Sequence, residues 1–148
     1  RNNVDEFGYV SRYDSLKASI LMDRLKNLKL VIKKRRQNAK IYMKLINNPN
    51  VFIPDETKSE FNTYHTFVVQ VKKRTGLIKY LKKNGISTAI HYPIPIHLQK
   101  AFINKNIQKL NLPNTMRQSK EILSLPINQF MTNKELQYIS KKINNFYK

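Results

Sequence analysis

YHTFVVQVKKRTGLIKYLKKNGISTAI, residues 64–90, is the stretch that decides the fold class of this chain. Within residues 64–71, the side chains of Phe67, Val69 and Val71 fall on one face of an extended chain, and Thr66 and Gln70 fall on the other face. This two-residue alternation predicts a half-buried β-strand.

A short helix and a second strand follow in the same stretch. Leu77, Ile78 and Leu81 recur at helical spacing, and Asn84-Gly85 supplies the left-handed residue on which many helices end. Residues 86–90 read as the second strand. The order strand, helix, strand predicts an α/β sandwich of the α+β kind, with helices packed on a small antiparallel or mixed sheet.

Towards the N-terminus, one long helix is predicted. Ser11 precedes it, and Asp14 follows three residues later as in a capping box. One apolar stripe then runs along the helix and is formed by Leu21, Leu25, Leu28, Ile32, Ala39, Met43 and Ile46. Asn47-Asn48-Pro49 ends it. Such a helix, about 35 residues against a usual length of about 11, must lie across other structure or be broken near the basic run at residues 33–36.

The remaining segments complete a single predicted domain, residues 1–148. Residues 49–60 read as a loop, and residues 91–97 as a rigid loop, because two prolines fix its backbone and remove donors. A helix through Met116 and Leu123 is predicted beyond Pro113, followed by an extended piece at Leu125-Pro126. The predicted C-terminal helix starts at Thr132 with Glu135 in capping-box position, and its buried stripe comprises Leu136, Ile139, Ile143 and Phe146.

Composition narrows the functional classes. The 28 Lys and Arg residues against 9 Asp and Glu give a net charge of +19. The four basic residues at 33–36 point in four directions around a helix, which favours a solvated basic surface and leaves nucleic acid or another polyanion as an alternative partner. There is no cysteine, which excludes disulfides and thiolate metal sites. Neither the three histidines nor the three glycines form a recognised metal or phosphate-loop pattern, so we predict no metal.

GYVSRYDSLKASIL, residues 8–21, is similar to the pattern G-x-N-x-R-L-D-x-L-Q-A-A-I-L, and GISTAIHYPIPIHLQ, residues 85–99, is similar to a pattern that contains H-Y-P-x-P-x-H-x-Q. These two segments resemble the DegT/StrS-type sugar aminotransferases, which depend on pyridoxal phosphate. The spacing between them, the strand at residues 64–67 (YHTF) and the turn at residues 121–126 (EILSLP) also match that family in order. The resemblance implies the C-terminal small domain of a fold-type-I aminotransferase.

The resemblance also implies which residues contact ligands. Arg12 matches an arginine near the anionic groups of the substrate, and His91 and Tyr92 match a loop that approaches the nucleotide-linked sugar from the neighbouring subunit. Val10 replaces an asparagine that binds cofactor phosphate across the dimer interface, so that contact is lost. We therefore expect substrate-binding residues at Arg12, His91 and Tyr92, and no catalytic, cofactor-binding or metal-binding residue in this chain.

Two interpretations remain open from the sequence. In the first, this is a C-terminal fragment, inactive alone, of an enzyme that transfers an amino group from glutamate to a keto sugar nucleotide. The large domain with the pyridoxal phosphate lysine is then expected elsewhere, in a homodimer of a longer chain or in a separate chain. In the second, it is a stand-alone basic module for nucleic acid or another polyanion. We expect a cytoplasmic protein, because no apolar run approaches the ~20 residues that span a membrane.

Overall fold

The computed structural model describes Gly8 and residues 14–103 and 110–148. Its described elements, in chain order, are α1 (Ser15–Lys26), α2 (Leu28–Leu45), β1 (Val51–Phe52), β2 (Phe67–Val71), α3 (Arg74–Lys83), α4 (Lys100–Ile103), α5 (Pro113–Glu121), β3 (Ile122–Leu125) and α6 (Asn133–Phe146). A single 3₁₀ turn, Ile96–Leu98, precedes α4. These elements confirm the predicted class, a small antiparallel sheet covered by helices.

The sheet has the order β1-β2-β3, and both pairings are antiparallel. Val69 lies opposite Leu123 and Phe67 opposite Leu125, and all four side chains are buried. The predicted alternation is therefore confirmed for residues 67–71, but the strand starts three residues later than predicted, because Tyr64 has a left-handed φ of 50°. Because successive side chains point to opposite faces, Ser124 projects from the face away from this core.

The core lies between that sheet face and three helices. Tyr42 of α2, Leu77 and Leu81 of α3, and Leu136 and Ile143 of α6 are at most 1% exposed. Helix α6 packs against both α2 and α3. Burial of each such side chain contributes about 2 kcal/mol. The capping box of α6 is confirmed, since the Thr132 side chain accepts from the Glu135 N–H and the Glu135 carboxylate accepts from the Thr132 N–H.

The long N-terminal helix is broken, which is one of the two predicted alternatives, but the break lies at Asn27, six residues before the basic run. Asn27 has a ψ of 0°, and its N–H caps α1 by bonding to the carbonyls of Arg24 and Leu25. The predicted start is also displaced. Asp14 is the N-cap and accepts from the Lys17 N–H at 2.8 Å; Ser11 lies outside the described residues.

The predicted stripe along this helix is buried only in its second half. Ala39 and Ile46 belong to the core, but Leu21, Leu25 and Leu28 are exposed. No residue of α1 is buried among the described residues. The stripe therefore has two parts, one packed into the core and one exposed to solvent.

The prediction of a second strand at residues 86–90 is wrong. Residues 86–90 form no strand, because the N–H of buried Ile86 bonds to the Leu81 carbonyl and holds the chain against the end of α3. Within this segment, only Ala89 pairs with Ser124 of β3. The third strand is β3, which includes Leu125 of the predicted extended piece. The prediction that the preceding helix continues through Leu123 is wrong: the helix ends at Glu121, because Leu123 pairs with Val69 in the sheet and is buried. The loop predicted at residues 49–60 also contains the short strand β1. The left-handed residue is confirmed, since Gly85 has a φ of 73°.

The basic run on α2 is used mainly for internal contacts. Arg35 Nη1 donates to the backbone carbonyls of Tyr64 at 3.0 Å, His65 at 3.0 Å and Ile127 at 3.2 Å. Arg36 binds the Glu56 carboxylate through both terminal nitrogens, at 2.6 and 2.9 Å. Lys33 and Lys34 are exposed. Two of the four charges therefore tie α2 to neighbouring loops.

Candidate functional site

The candidate site is the loop that leaves the sheet at His91. Ala89 exchanges two backbone hydrogen bonds with Ser124, 3.1 and 2.8 Å long, which fixes the chain at the edge of β3. Two residues later, His91 Nδ1 lies 2.7 Å from Ser124 Oγ. Ser124 is 6% exposed, whereas the imidazole is exposed on the loop. One ring nitrogen of His91 is thus anchored to the sheet.

Tyr92 is held in an unusual backbone conformation beside His91. Its φ is 57°, in the left-handed region, and its side chain is 86% exposed. A non-glycine residue in this region costs roughly 1–2 kcal/mol. Pro93 follows and further restricts Tyr92. The rings of His91 and Tyr92 are 6.5 Å apart, so the loop presents two neighbouring aromatic groups to solvent.

The rest of the loop is stiffened by local bonds. The N–H of Leu98 donates to the Pro95 carbonyl at 2.9 Å, and the Gln99 side-chain amide donates to the Ile94 carbonyl at 3.2 Å. Ile96 nevertheless stays 77% exposed. A stiff loop with exposed apolar and aromatic side chains can contact a ligand or partner with little loss of conformational entropy.

The structure brings two of the three predicted substrate-binding residues together. His91 and Tyr92 lie on this loop, while Arg12 and Val10 lie outside the described residues. Sequence reasoning missed Ser124, the residue that anchors His91. The available signal was a single hydroxyl in the apolar run Ile-Leu-Ser-Leu, because a buried hydroxyl in a strand needs a partner.

The described residues do not fit pyridoxal phosphate. That cofactor requires a lysine amine in a sheltered pocket, yet every lysine in residues 14–103 and 110–148 is exposed except Lys142, which is half-buried. In the same residues, no three His, Asp or Glu side chains are placed to hold a metal. No described helix is both long and apolar enough to cross a membrane.

A second feature is a basic groove on α2, which we define by Lys29, Ile32, Lys33, Arg36, Gln37, Lys40 and Phe61. Its volume is about 600 Å³. The Arg36 guanidinium stacks on one face of the Phe61 ring, 4.4 Å from its centroid, and Phe61 is 68% exposed. The Arg36 hydrogen bonds hold the pKa of Glu56 below its usual value. Cationic side chains thus surround an apolar floor.

Comparison with known proteins finds two relatives that match nearly the whole chain. The chain is 36% identical over 139 residues to the dTDP-3-amino-3,6-dideoxy-alpha-D-galactopyranose transaminase of Aneurinibacillus thermoaerophilus, covering 94% of this chain and 38% of that protein. It is 33% identical to a pleiotropic regulatory protein of Geobacillus stearothermophilus over 144 residues, which are 95% of this chain and 39% of that protein. The chain thus spans less than half the length of these relatives.

The fold agrees with the sequence relationship. The X-ray structure of DesV from S. venezuelae superposes with a TM-score of 0.84 at 26% identity, and the match covers 94% of this chain and 38% of DesV. The model of the DegT/DnrJ/EryC1/StrS aminotransferase family matches residues 1–144. The chain therefore belongs to the DegT/DnrJ/EryC1/StrS aminotransferase family.

Proposed function

We propose that this chain is the small-domain portion of a cytoplasmic sugar aminotransferase and lends substrate-binding side chains to a site completed by other polypeptide. The substrate is a keto sugar linked to a nucleotide, and the amino donor is glutamate. His91 and Tyr92 contact the sugar nucleotide, and Arg12 contacts its anionic groups. By itself the chain has no transaminase activity. The observation that carries the proposal is the stiff loop that holds His91 and Tyr92 exposed, in a chain of this family.

The chemistry of each group supports its role. The His91 imidazole has one nitrogen on Ser124, which leaves Nε2 to bond a ligand oxygen. The exposed Tyr92 ring offers an apolar face and a hydroxyl. A guanidinium at Arg12 suits bidentate contact with phosphate. None of these contacts requires this chain to hold the cofactor.

Helix α1 supports the existence of a further polypeptide surface. Its apolar side chains are strongly exposed, with Leu16 and Met22 at 72% and Leu25 at 65%. A helix that is apolar on several sides is normally covered in a larger assembly. We propose that α1 packs against the large domain, supplied by a homodimer of a longer chain or by a separate chain.

The family depends on pyridoxal phosphate, which supplies the electron sink for amino-group transfer when it is bound. The described residues of this chain do not fit that group. We therefore assign the lysine, the acidic partner of the pyridine nitrogen and the phosphate contacts to the large domain. This chain binds and orients the sugar nucleotide.

A nucleotide titration of the 148-residue chain tests the proposal. We expect uridine diphosphate or thymidine diphosphate, at millimolar concentration, to shift the amide resonances around residues 91–92 in two-dimensional NMR spectra. His91→Ala should abolish the shifts, whereas His65→Ala, outside the loop, should preserve them. The chain mixed with pyridoxal phosphate, glutamate and a keto sugar nucleotide should give no amino sugar. Turnover by the chain alone, or shifts that bypass the loop entirely, would refute the proposal.

A second candidate function is polyanion binding at the basic groove. Lys29, Lys33 and Lys40 lie on one face of α2, and within the described residues none of them forms an ion pair within 4 Å. Lys40 interacts with the Glu56 carboxylate over a longer distance and helps to lower its pKa. The free face of Phe61 could stack a base, as aromatic rings do in proteins that bind single-stranded nucleic acid. The groove thus combines lysines with an exposed aromatic ring.

Binding of a single-stranded oligonucleotide, followed by fluorescence anisotropy over a salt series, decides this second candidate. Each lysine on a phosphate contributes about 0.7 to the logarithmic salt slope, so Lys29→Ala with Lys33→Ala should reduce the slope by about 1.4. Lys82→Ala with Lys83→Ala removes the same charge from the end of α3 and should leave the slope unchanged. A shallow slope in the unmodified chain, or equal effects of the two pairs, would dismiss the groove.

A further inference from the structure

Ser124 occupies a position where a polar side chain needs an explanation. Its neighbours Leu123 and Leu125 are buried in the core, and Ser124 points to the opposite face at 6% exposure. Its backbone N–H and C=O are both used by Ala89. A buried hydroxyl without a partner costs about 1–3 kcal/mol, so the side chain must find a hydrogen bond of its own.

That hydrogen bond is made with His91. Ser124 Oγ lies 2.7 Å from Nδ1, and no hydrogen bond of Nε2 is found among the described residues. The partner of one imidazole nitrogen determines which nitrogen carries the proton, and it also fixes the ring orientation. Ser124 thereby controls what Nε2 presents to solvent.

We propose that Ser124 is a positioning residue: its hydroxyl donates to His91 Nδ1, so that Nε2 keeps its hydrogen and donates to an oxygen of the sugar nucleotide. The inference rests on the proposed function only for the identity of the ligand. The hydroxyl has one hydrogen to give, and no other acceptor for it is found among the described residues. A donor at Nε2 matches an anionic or hydroxyl-bearing ligand, to which a bare ring nitrogen could not donate.

The rigid surroundings make this control effective. Ala89 is fixed to β3 on one side of His91, and the strained Tyr92 with Pro93 limits the backbone on the other side. The imidazole therefore has few ways to reorient except by breaking its bond to Ser124. Removal of the hydroxyl should free the ring without moving the strand.

The test reads the tautomer of His91 directly, by long-range proton–nitrogen NMR correlation of the histidine rings in the 148-residue chain. We expect the unmodified chain to show the Nε2–H tautomer for His91, and Ser124→Ala to show the averaged nitrogen shifts of exchanging tautomers. Ser124→Thr keeps a hydroxyl and should restore the original pattern. Ser87→Ala removes an exposed hydroxyl on the same segment and should change nothing.

Several outcomes would overturn the inference. Averaged nitrogen shifts or an Nδ1–H tautomer of His91 in the unmodified chain would overturn it. This outcome needs no variant, so the test holds even if Ser124→Ala fails to fold. An unchanged His91 spectrum in folded Ser124→Ala would do so as well.

A titration with uridine diphosphate separates this inference from the proposed function. We expect Ser124→Ala to weaken binding about three- to tenfold, which corresponds to the loss of one oriented hydrogen bond, and Ser124→Thr to recover it. If the unmodified chain binds no nucleotide but shows the single tautomer, the proposed function fails and the positioning role stands. If nucleotide binds the loop but the His91 tautomer is averaged, the positioning role of Ser124 fails and the proposed function stands.

Discussion

Replacement of Arg35 by alanine tests whether the basic run on α2 holds the fold together. Arg35 Nη1 lies within 3.0 to 3.2 Å of three backbone carbonyls, those of Tyr64, His65 and Ile127. This nitrogen carries two hydrogens, so two full hydrogen bonds form at once and the third carbonyl shares one of them. Hydrogen bonds to a charged donor contribute about 1.5–3 kcal/mol each, and the half-exposed position of Arg35 favours the lower value. We therefore expect Arg35→Ala to lower the free energy of unfolding by about 3 kcal/mol.

Urea unfolding followed by circular dichroism measures this loss, which should also lower the Tm by about 10 °C in a chain of this size. Lys34→Ala is the matched control, because Lys34 is the exposed neighbour and has no hydrogen bond among the described residues. It should stay within about 0.5 kcal/mol of the unmodified chain. Arg35→Lys keeps the charge but not the planar fork, and an intermediate loss is expected. If Arg35→Ala were as stable as Lys34→Ala, the run would be a solvated surface and the structural role would be refuted.

Three further predictions concern stability and association. Tyr42→Phe should lower the free energy of unfolding by about 1–2 kcal/mol, because the buried hydroxyl donates to the Pro126 carbonyl at 2.8 Å. Thermal unfolding measures this loss. As the control, Tyr138→Phe removes an exposed hydroxyl and should lower the free energy of unfolding by less. The pKa of Glu56 is held below its usual 4.5 by hydrogen bonds from Arg36, so this stabilisation is complete above about pH 4.5 and is lost as the pH falls through the lowered pKa. Glu56→Gln should flatten that part of the acid unfolding curve; an unchanged curve would contradict the assignment. Leu21→Glu with Leu25→Glu should reduce self-association in sedimentation experiments without loss of helix, whereas loss of stability would show that α1 is already covered.

Elements whose signals are local could be predicted from the sequence. The capping box of α6 depends on two side chains three residues apart, and the left-handed Gly85 depends on one missing Cβ. The alternation of apolar and other side chains that ends at Val71 indicates a strand in a sheet with one buried face. Each of these features is specified by neighbouring residues and agrees with the contacts made by the rest of the chain.

Elements that depend on distant partners could not be predicted. Residues 86–90 have strand-like composition, but Ile86 bonds to the end of α3 and its side chain enters the core, so the segment is not free to extend along β3. At the opposite edge of the sheet, β2 pairs with Val51 and Phe52, in a segment with too few residues for a visible period. Whether a segment pairs as a strand depends on its packing against neighbouring strands and helices. The sequence of the segment alone does not specify those contacts.

The same distinction separates the two halves of the candidate site. The motif around His91 and Tyr92 identified the loop, but the strain at Tyr92 and the bond from His91 to Ser124 arise only when residue 124 reaches the loop across the sheet. Strain at one residue persists only where surrounding contacts over-determine the backbone, and here those contacts are the Ala89 pairing, Pro93 and the buried hydroxyl. The loop is therefore stiff because the sheet makes it so. Under the proposed function, this stiffness is what would keep His91 and Tyr92 in place for a ligand.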